Sequence, residues 1–155
     1  MVHRTYAGLP REMAIREFEA LTPHVRRLLA LQAEWAPFGP DHAAFGIALD
    51  GAETAAYHFT RRRHFYEALR REVRPAGPGN GRLGDRDEAV AAFEGLTPYV
   101  HQLRRLQMRC RPYGRDYLAL EIARQSLETA AYHFTRIAGF YGAASDAAGP
   151  LRPAR

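Results

Sequence analysis

The chain has 155 residues, enough for one compact domain, and either half alone would sit near the length at which a single core becomes marginal. Its 46% hydrophobic and 25% charged residues suit a folded globular protein, and no apolar run is long enough to span a bilayer, which excludes integral membrane association. A net charge of +5 with a pI near 9.8 favours polyanionic partners, nucleic acid first among them.

All 22 basic residues are Arg, a pattern that coding bias produces as readily as phosphate contact does, so the charge carries less weight than usual. The first six residues lack the apolar core of a secretory signal, and Cys110 is the only cysteine, so a cytoplasmic, reducing setting is expected.

In chain order, a short helix over residues 11–20 leads into Leu21-Thr22-Pro23, where Thr22 as N-cap and Pro23 at the first helical position restart the chain. The second helix runs to about residue 35 with Val25, Leu28 and Leu31 on one stripe. Pro37-Phe38-Gly39 then forms a turn, and Asp41 stands where an N-cap belongs. The pattern carries the third helix from there to about residue 72, roughly 45 Å at 1.5 Å per residue. Its seam is Phe45, Ala48, Ala52, Ala55, Phe59 and Tyr66, interrupted by Arg62. Residues 74–84, rich in Pro and Gly, read as a linker.

Beyond the linker the chain repeats itself at a constant offset of 75 residues. The octapeptide ETAAYHFT stands at 53–60 and again at 128–135, Leu21-Thr22-Pro23 returns as Leu96-Thr97-Pro98, and Pro37-Phe38-Gly39 as Pro112-Tyr113-Gly114. Asp85 with Glu88 makes a capping box for a helix over 86–95, a second helix runs to about Cys110, and Asp116 opens a long third one. The seam of that helix is Leu120, Ala123, Leu127, Ala130, Phe134, Ile137 and Tyr141. The expected fold is all-α: a tandem duplication of a three-helix unit, repeat 1 at 9–73 and repeat 2 at 85–144, packed as a pseudo-twofold bundle around one core. Residues 145–155 read as a flexible tail.

On a helical wheel Glu53, Tyr57, Thr60 and Arg61 share a face, as do Glu128, Tyr132, Thr135 and Arg136, while His58 and His133 border the Ala/Phe seam. The plain reading is packing and hydrogen bonding at a duplicated interface. A sharper one uses the symmetry. If the long helices cross near their midpoints, Glu53, Tyr57, His58, Glu128, Tyr132 and His133 converge at the axis and could hold a transition metal or a haem. The interval from Glu to His is five, unlike the Glu-x-x-His of di-iron bundles, and no haem-attachment sequence is present.

An enzyme is the less favoured reading. Cys110 faces Trp35 in the repeat alignment, so a thiol nucleophile is not part of the module, and the glycines of 77–84 do not follow a strand as a phosphate cradle would.

The basic candidates are Arg61, Arg62, Arg63, Arg70, Arg71 and Arg74, interleaved with His64, Phe65 and Tyr66, joined by Arg104, Arg105 and Arg109 of the second copy. Repeat 2 reads Arg136-Ile137-Ala138-Gly139-Phe140-Tyr141 in place of the first run, so that charge belongs to one copy only. The leading expectation is a non-enzymatic helical module whose Arg surface contacts nucleic acid or another polyanion, such as an acidic protein. The axis site and a homo-oligomeric scaffold stay open beside it.

Overall fold

The computed structural model describes residues 5–73 and 85–142. The expected linker at 74–84, with Arg74 in it, and the tail at 145–155 lie outside the described residues. Among the described residues there are seven helices and no strand: α1 (Arg11–Ala20), α2 (Thr22–Ala33), α3 (Pro40–Thr60), α4 (Glu67–Glu72), α5 (Arg86–Glu94), α6 (Thr97–Gln107) and α7 (Arg115–Thr135). None of them is long and apolar enough to cross a membrane.

α3 and α7, 21 residues each, form the central pair. They run antiparallel, since His58 near the end of α3 meets Asp116 at the start of α7, and His133 near the end of α7 meets Asp41 at the start of α3. They approach closely at Gly51. A Cβ there would stand 2.0 Å from Ser126 Oγ and 3.1 Å from the Ile122 carbonyl oxygen, so only glycine lets the two backbones come this near. α1 and α2 pack on α3, α5 and α6 pack on α7, and α4 packs on α2.

The apolar stripes meet in one cluster drawn from residues on both sides of 74–84. Phe45 stacks on Phe93 at 5.8 Å and meets Phe134 in a tilted pair at 4.8 Å, and His24 stacks on Tyr99 at 5.7 Å. Burying side chains of this size contributes about 1.5–3 kcal/mol each. The segment before α1 also crosses over: the Gly8 N–H donates to the Arg109 carbonyl at 2.7 Å, and Arg109 Nε returns a bond to the Gly8 carbonyl at 3.0 Å.

Contacts recur at the sequence offset. Phe18 and Phe59 lie 5.8 Å apart at 29°, and Phe93 and Phe134 5.9 Å apart at 30°. Phe18 and Phe65 meet edge-on at 6.3 Å, as do Phe93 and Phe140 at 6.2 Å.

Helix starts differ from expectation in detail. Leu21 and Leu96, not Thr22 and Thr97, are the cap residues of α2 and α6, and no side chain caps either helix. The caps of α3 and α7 are Gly39 and Gly114, so Asp41 and Asp116 fall inside the first turn, where a carboxylate suits the helix dipole. Asp85 does cap α5, accepting from the Asp87 N–H at 2.9 Å rather than from Glu88.

The largest difference is the end of α3. Apolar spacing through Phe65, Tyr66 and Leu69 suggests one helix to residue 72, yet α3 stops at Thr60 and the chain turns before α4. Thr60 Oγ1 donates to the Ala56 carbonyl at 2.7 Å and accepts the Arg62 N–H at 3.2 Å, and Arg61 adopts a left-handed φ of 58°. α7 ends the same way, with Thr135 on the Ala131 carbonyl and Arg136 at φ 58°.

Candidate nucleic-acid interface

The turn after α3 is tied at several points. Both oxygens of Glu53 accept backbone N–H groups twelve and thirteen residues on, from Phe65 and Tyr66, each at 2.9 Å. The Tyr66 hydroxyl donates to the Phe18 carbonyl at 2.6 Å, and Arg11 Nε donates to the Thr60 carbonyl at 2.9 Å. Burial raises the Tyr66 phenol far above its ordinary range, assisted by Tyr99, Glu53 and Glu19, so it stays a hydrogen-bond donor at any physiological pH.

On this fixed frame Arg61, Arg62, Arg63 and His64 are all exposed. Arg61 and Arg63 each lie over the Tyr57 ring, 5.6 Å from its centroid, an interaction worth about 0.5–1 kcal/mol at an exposed site. Arg70 and Arg71 follow on α4, Arg70 half-buried and Arg71 exposed. Among the described residues none of these five arginines has a carboxylate within ion-pair distance, whereas Arg26 pairs with Glu72 and Arg124 with Glu121. Among the described residues, these guanidiniums have no carboxylate partner that a phosphate would have to displace; Arg61 and Arg63 would leave only the Tyr57 ring.

The other three arginines divide. Arg104 donates to the Tyr117 hydroxyl at 3.2 Å and Arg109 holds Gly8, so both belong to the scaffold; Arg105 is exposed on α6.

The residues of the expected axis site are not gathered in one place. His58 Nε2 is 2.8 Å from Asp116 Oδ1 and His133 Nε2 is 2.8 Å from Asp41 Oδ1, which puts the imidazoles at opposite ends of the α3/α7 pair, about 25 Å apart along the helix backbone at 1.5 Å per residue. Glu53 holds its loop, Glu128 accepts the Tyr141 N–H at 2.8 Å, and Tyr132 carries Arg136 at 5.7 Å from its centroid. What lies near the centre of the pair instead is Gly51 against Ser126. Among the described residues no group of three or more His, Cys, Asp or Glu side chains is placed to hold a metal ion. Burial pushes the Cys110 thiol up to about 11, so it is protonated at neutral pH and donates weakly to the Leu106 carbonyl.

A cleft of about 810 Å³ opens between α3 and the loop, with Asp50, Thr54 and Tyr57 on one side and Arg63, His64 and Arg70 on the other. Asp50 and Thr54 do not stand out in the sequence as site residues, and His64 does so only as part of the basic run; it aligns with Gly139, and both have positive φ, 54° and 62°.

No protein-family model matches the chain, and searches of curated proteins and of solved structures find no match to it.

Proposed function

We propose that the chain is a tandem duplication of one helical unit, its halves related by a pseudo-twofold axis, and that its first copy has become a polyanion-binding module with nucleic acid as the partner. The duplication is supported by the contacts that recur at an offset of 75 residues and by the reciprocal pairs His58–Asp116 and His133–Asp41. The binding role rests on one observation above all: Arg61, Arg62, Arg63 and His64 stand exposed on a loop that Glu53 and Tyr66 hold in place, without carboxylate partners among the described residues. Phosphate contacts of this type release condensed counterions, so the affinity should fall linearly with salt on a logarithmic plot.

Fluorescence anisotropy of a labelled oligonucleotide across a salt series tests this. Neutralising Arg61, Arg62, Arg63, Arg70 and Arg71 should weaken binding and flatten the salt slope, by about 0.7 for each phosphate of a single strand that is no longer neutralised. Binding that ignores all five changes would rule out this surface.

A second reading, self-association, is favoured by the exposed Ile47, Leu118, Ile122 and Tyr132 on α3 and α7. Light scattering distinguishes it: a monomeric mass at high protein concentration would remove it.

A further inference from the structure

We propose that the cleft beside the Arg loop seats one unpaired nucleotide of a single strand, an inference that rests on the polyanion reading above. Its volume of about 810 Å³ falls within the range of about 300–1,000 Å³ typical of small-ligand sites. Its two walls differ in chemistry. Arg63, His64 and Arg70 offer donors to a phosphate, while Tyr57 offers a ring on which a base can stack once Arg63 leaves it for the phosphate.

Asp50 and Thr54 complete the opposite wall, both exposed. A carboxylate is out of place in a site for phosphate alone, because it repels the anion. It suits a ligand that carries an anion at one end and hydrogen-bond donors at the other, as a nucleotide with an amino-bearing base does. Glu53, whose oxygens accept two backbone N–H groups, also lines the cleft and adds a second negative charge to that wall. A base paired within a duplex cannot enter such a cleft, so the geometry favours single strands.

The second copy is a built-in control. It keeps the Glu128 clasp, the Tyr132–Arg136 contact and the turn, but has Ala138 and Gly139 where the cleft has Arg63 and His64. His64 therefore holds a left-handed conformation that the same turn reaches with glycine in the other copy. Left-handed φ values also occur at Phe38, Arg61, Tyr113 and Arg136, so the control rests on the side chains that differ between the two turns.

The test is the double variant Arg63→Ala/His64→Gly, which gives the loop the second copy's residues at these two positions, measured by anisotropy against a labelled 12-mer single strand and a duplex of the same length. The melting temperature should stay level or rise, because glycine relieves the turn. Single-strand affinity should fall about tenfold or more and duplex affinity much less, and Tyr57→Leu should cost the single strand about five- to tenfold by removing the stacking ring.

Asp50→Ala decides the orientation by its sign: weaker binding if Asp50 accepts from a base, stronger binding if the cleft holds a phosphate alone. Equal losses for single strand and duplex, or a gain with Asp50→Ala, would overturn the nucleotide seat while leaving the Arg surface intact. Wild-type protein that binds neither oligonucleotide at low salt would overturn the polyanion reading and this inference with it.

Discussion

The turn after α3 and the turn after α7 are built alike and equipped differently. Each follows the sequence ETAAYHFTR, each leaves its helix through a left-handed Arg, and each is held by a Glu one turn or more inside the helix and by a Tyr hydroxyl on a Phe carbonyl, 2.6 Å to Phe18 and 2.5 Å to Phe93. After that Arg the first turn carries Arg62, Arg63 and His64, and the second Ile137, Ala138 and Gly139. The letters the two stretches share include Glu53 and Glu128, which bind the turn backbone, and Thr60 and Thr135, which bond back into the helix. The proposed interface falls on the residues that differ and not on the shared octapeptide.

The frame itself offers the largest effects by which to break this comparison. Glu53 accepts two backbone N–H groups and Glu128 has one such bond, from Tyr141, and a hydrogen bond to a charged group contributes about 1.5–3 kcal/mol. Glu53→Ala should thus destabilise the protein by about 3 kcal/mol or more and Glu128→Ala by roughly half of that, read by urea denaturation. Equal losses would mean that the two clasps are equivalent in solution.

The α3/α7 crossing sharpens the comparison at intermediate size. Gly51→Ala should cost about 1–3 kcal/mol by overpacking against Ser126. Adding Ser126→Gly to Gly51→Ala should recover part of the loss, because it removes the contacts with Ser126 Oγ and Cβ at 2.0 and 2.6 Å but leaves the Ile122 carbonyl oxygen 3.1 Å away. A double variant as unstable as the sum of its parts would show that Ser126 is not the source of the overpacking.

A smaller effect concerns His24, which stacks on Tyr99, the residue at its own offset position. Burial lowers the His24 imidazole below its ordinary 6.5, so the unfolded chain binds that proton more readily than the native one. The associated stability is fully present above about pH 6.5 and is lost as pH falls through the lowered value. Melting temperatures between pH 7.5 and 5 should decline in the wild type and decline less in His24→Phe. Parallel curves would remove His24 as the cause. Glu121 acts in the same direction at lower pH: burial raises its carboxyl, but bonds from Gln107, Gln125 and Arg124 outweigh that and hold it below 4.5, so its contribution is lost on further acidification.

Much of the fold was legible because helical periodicity is a local property. The seams of α3 and α7, Phe45 to Phe59 and Leu120 to Ala130, are buried where spacings of three and four residues put them. The end of α3 was not legible, since Phe65, Tyr66 and Leu69 continue the apolar spacing while the stop depends on Thr60 bonding back to Ala56 and on Glu53 reaching its loop. Nor could periodicity reveal what His58 and His133 meet, because Asp116 and Asp41 are 58 and 92 residues away along the chain. The Arg cluster was readable as composition. Its display on a fixed turn beside a cleft depends on contacts between residues far apart, and only His64 opposite Gly139 hinted at it.

The most direct measurement compares two variants that remove the same charge from the two halves. One carries Arg61→Gln, Arg62→Gln and Arg63→Gln; the other carries Arg86→Gln, Arg111→Gln and Arg115→Gln, all exposed. Each is titrated against one labelled single strand over a range of salt. The first should lose about tenfold or more in affinity and about 2 in the logarithmic salt slope, while the second stays close to wild type. Equal losses from both variants would show that only net charge matters, and would contradict an interface located on the first copy.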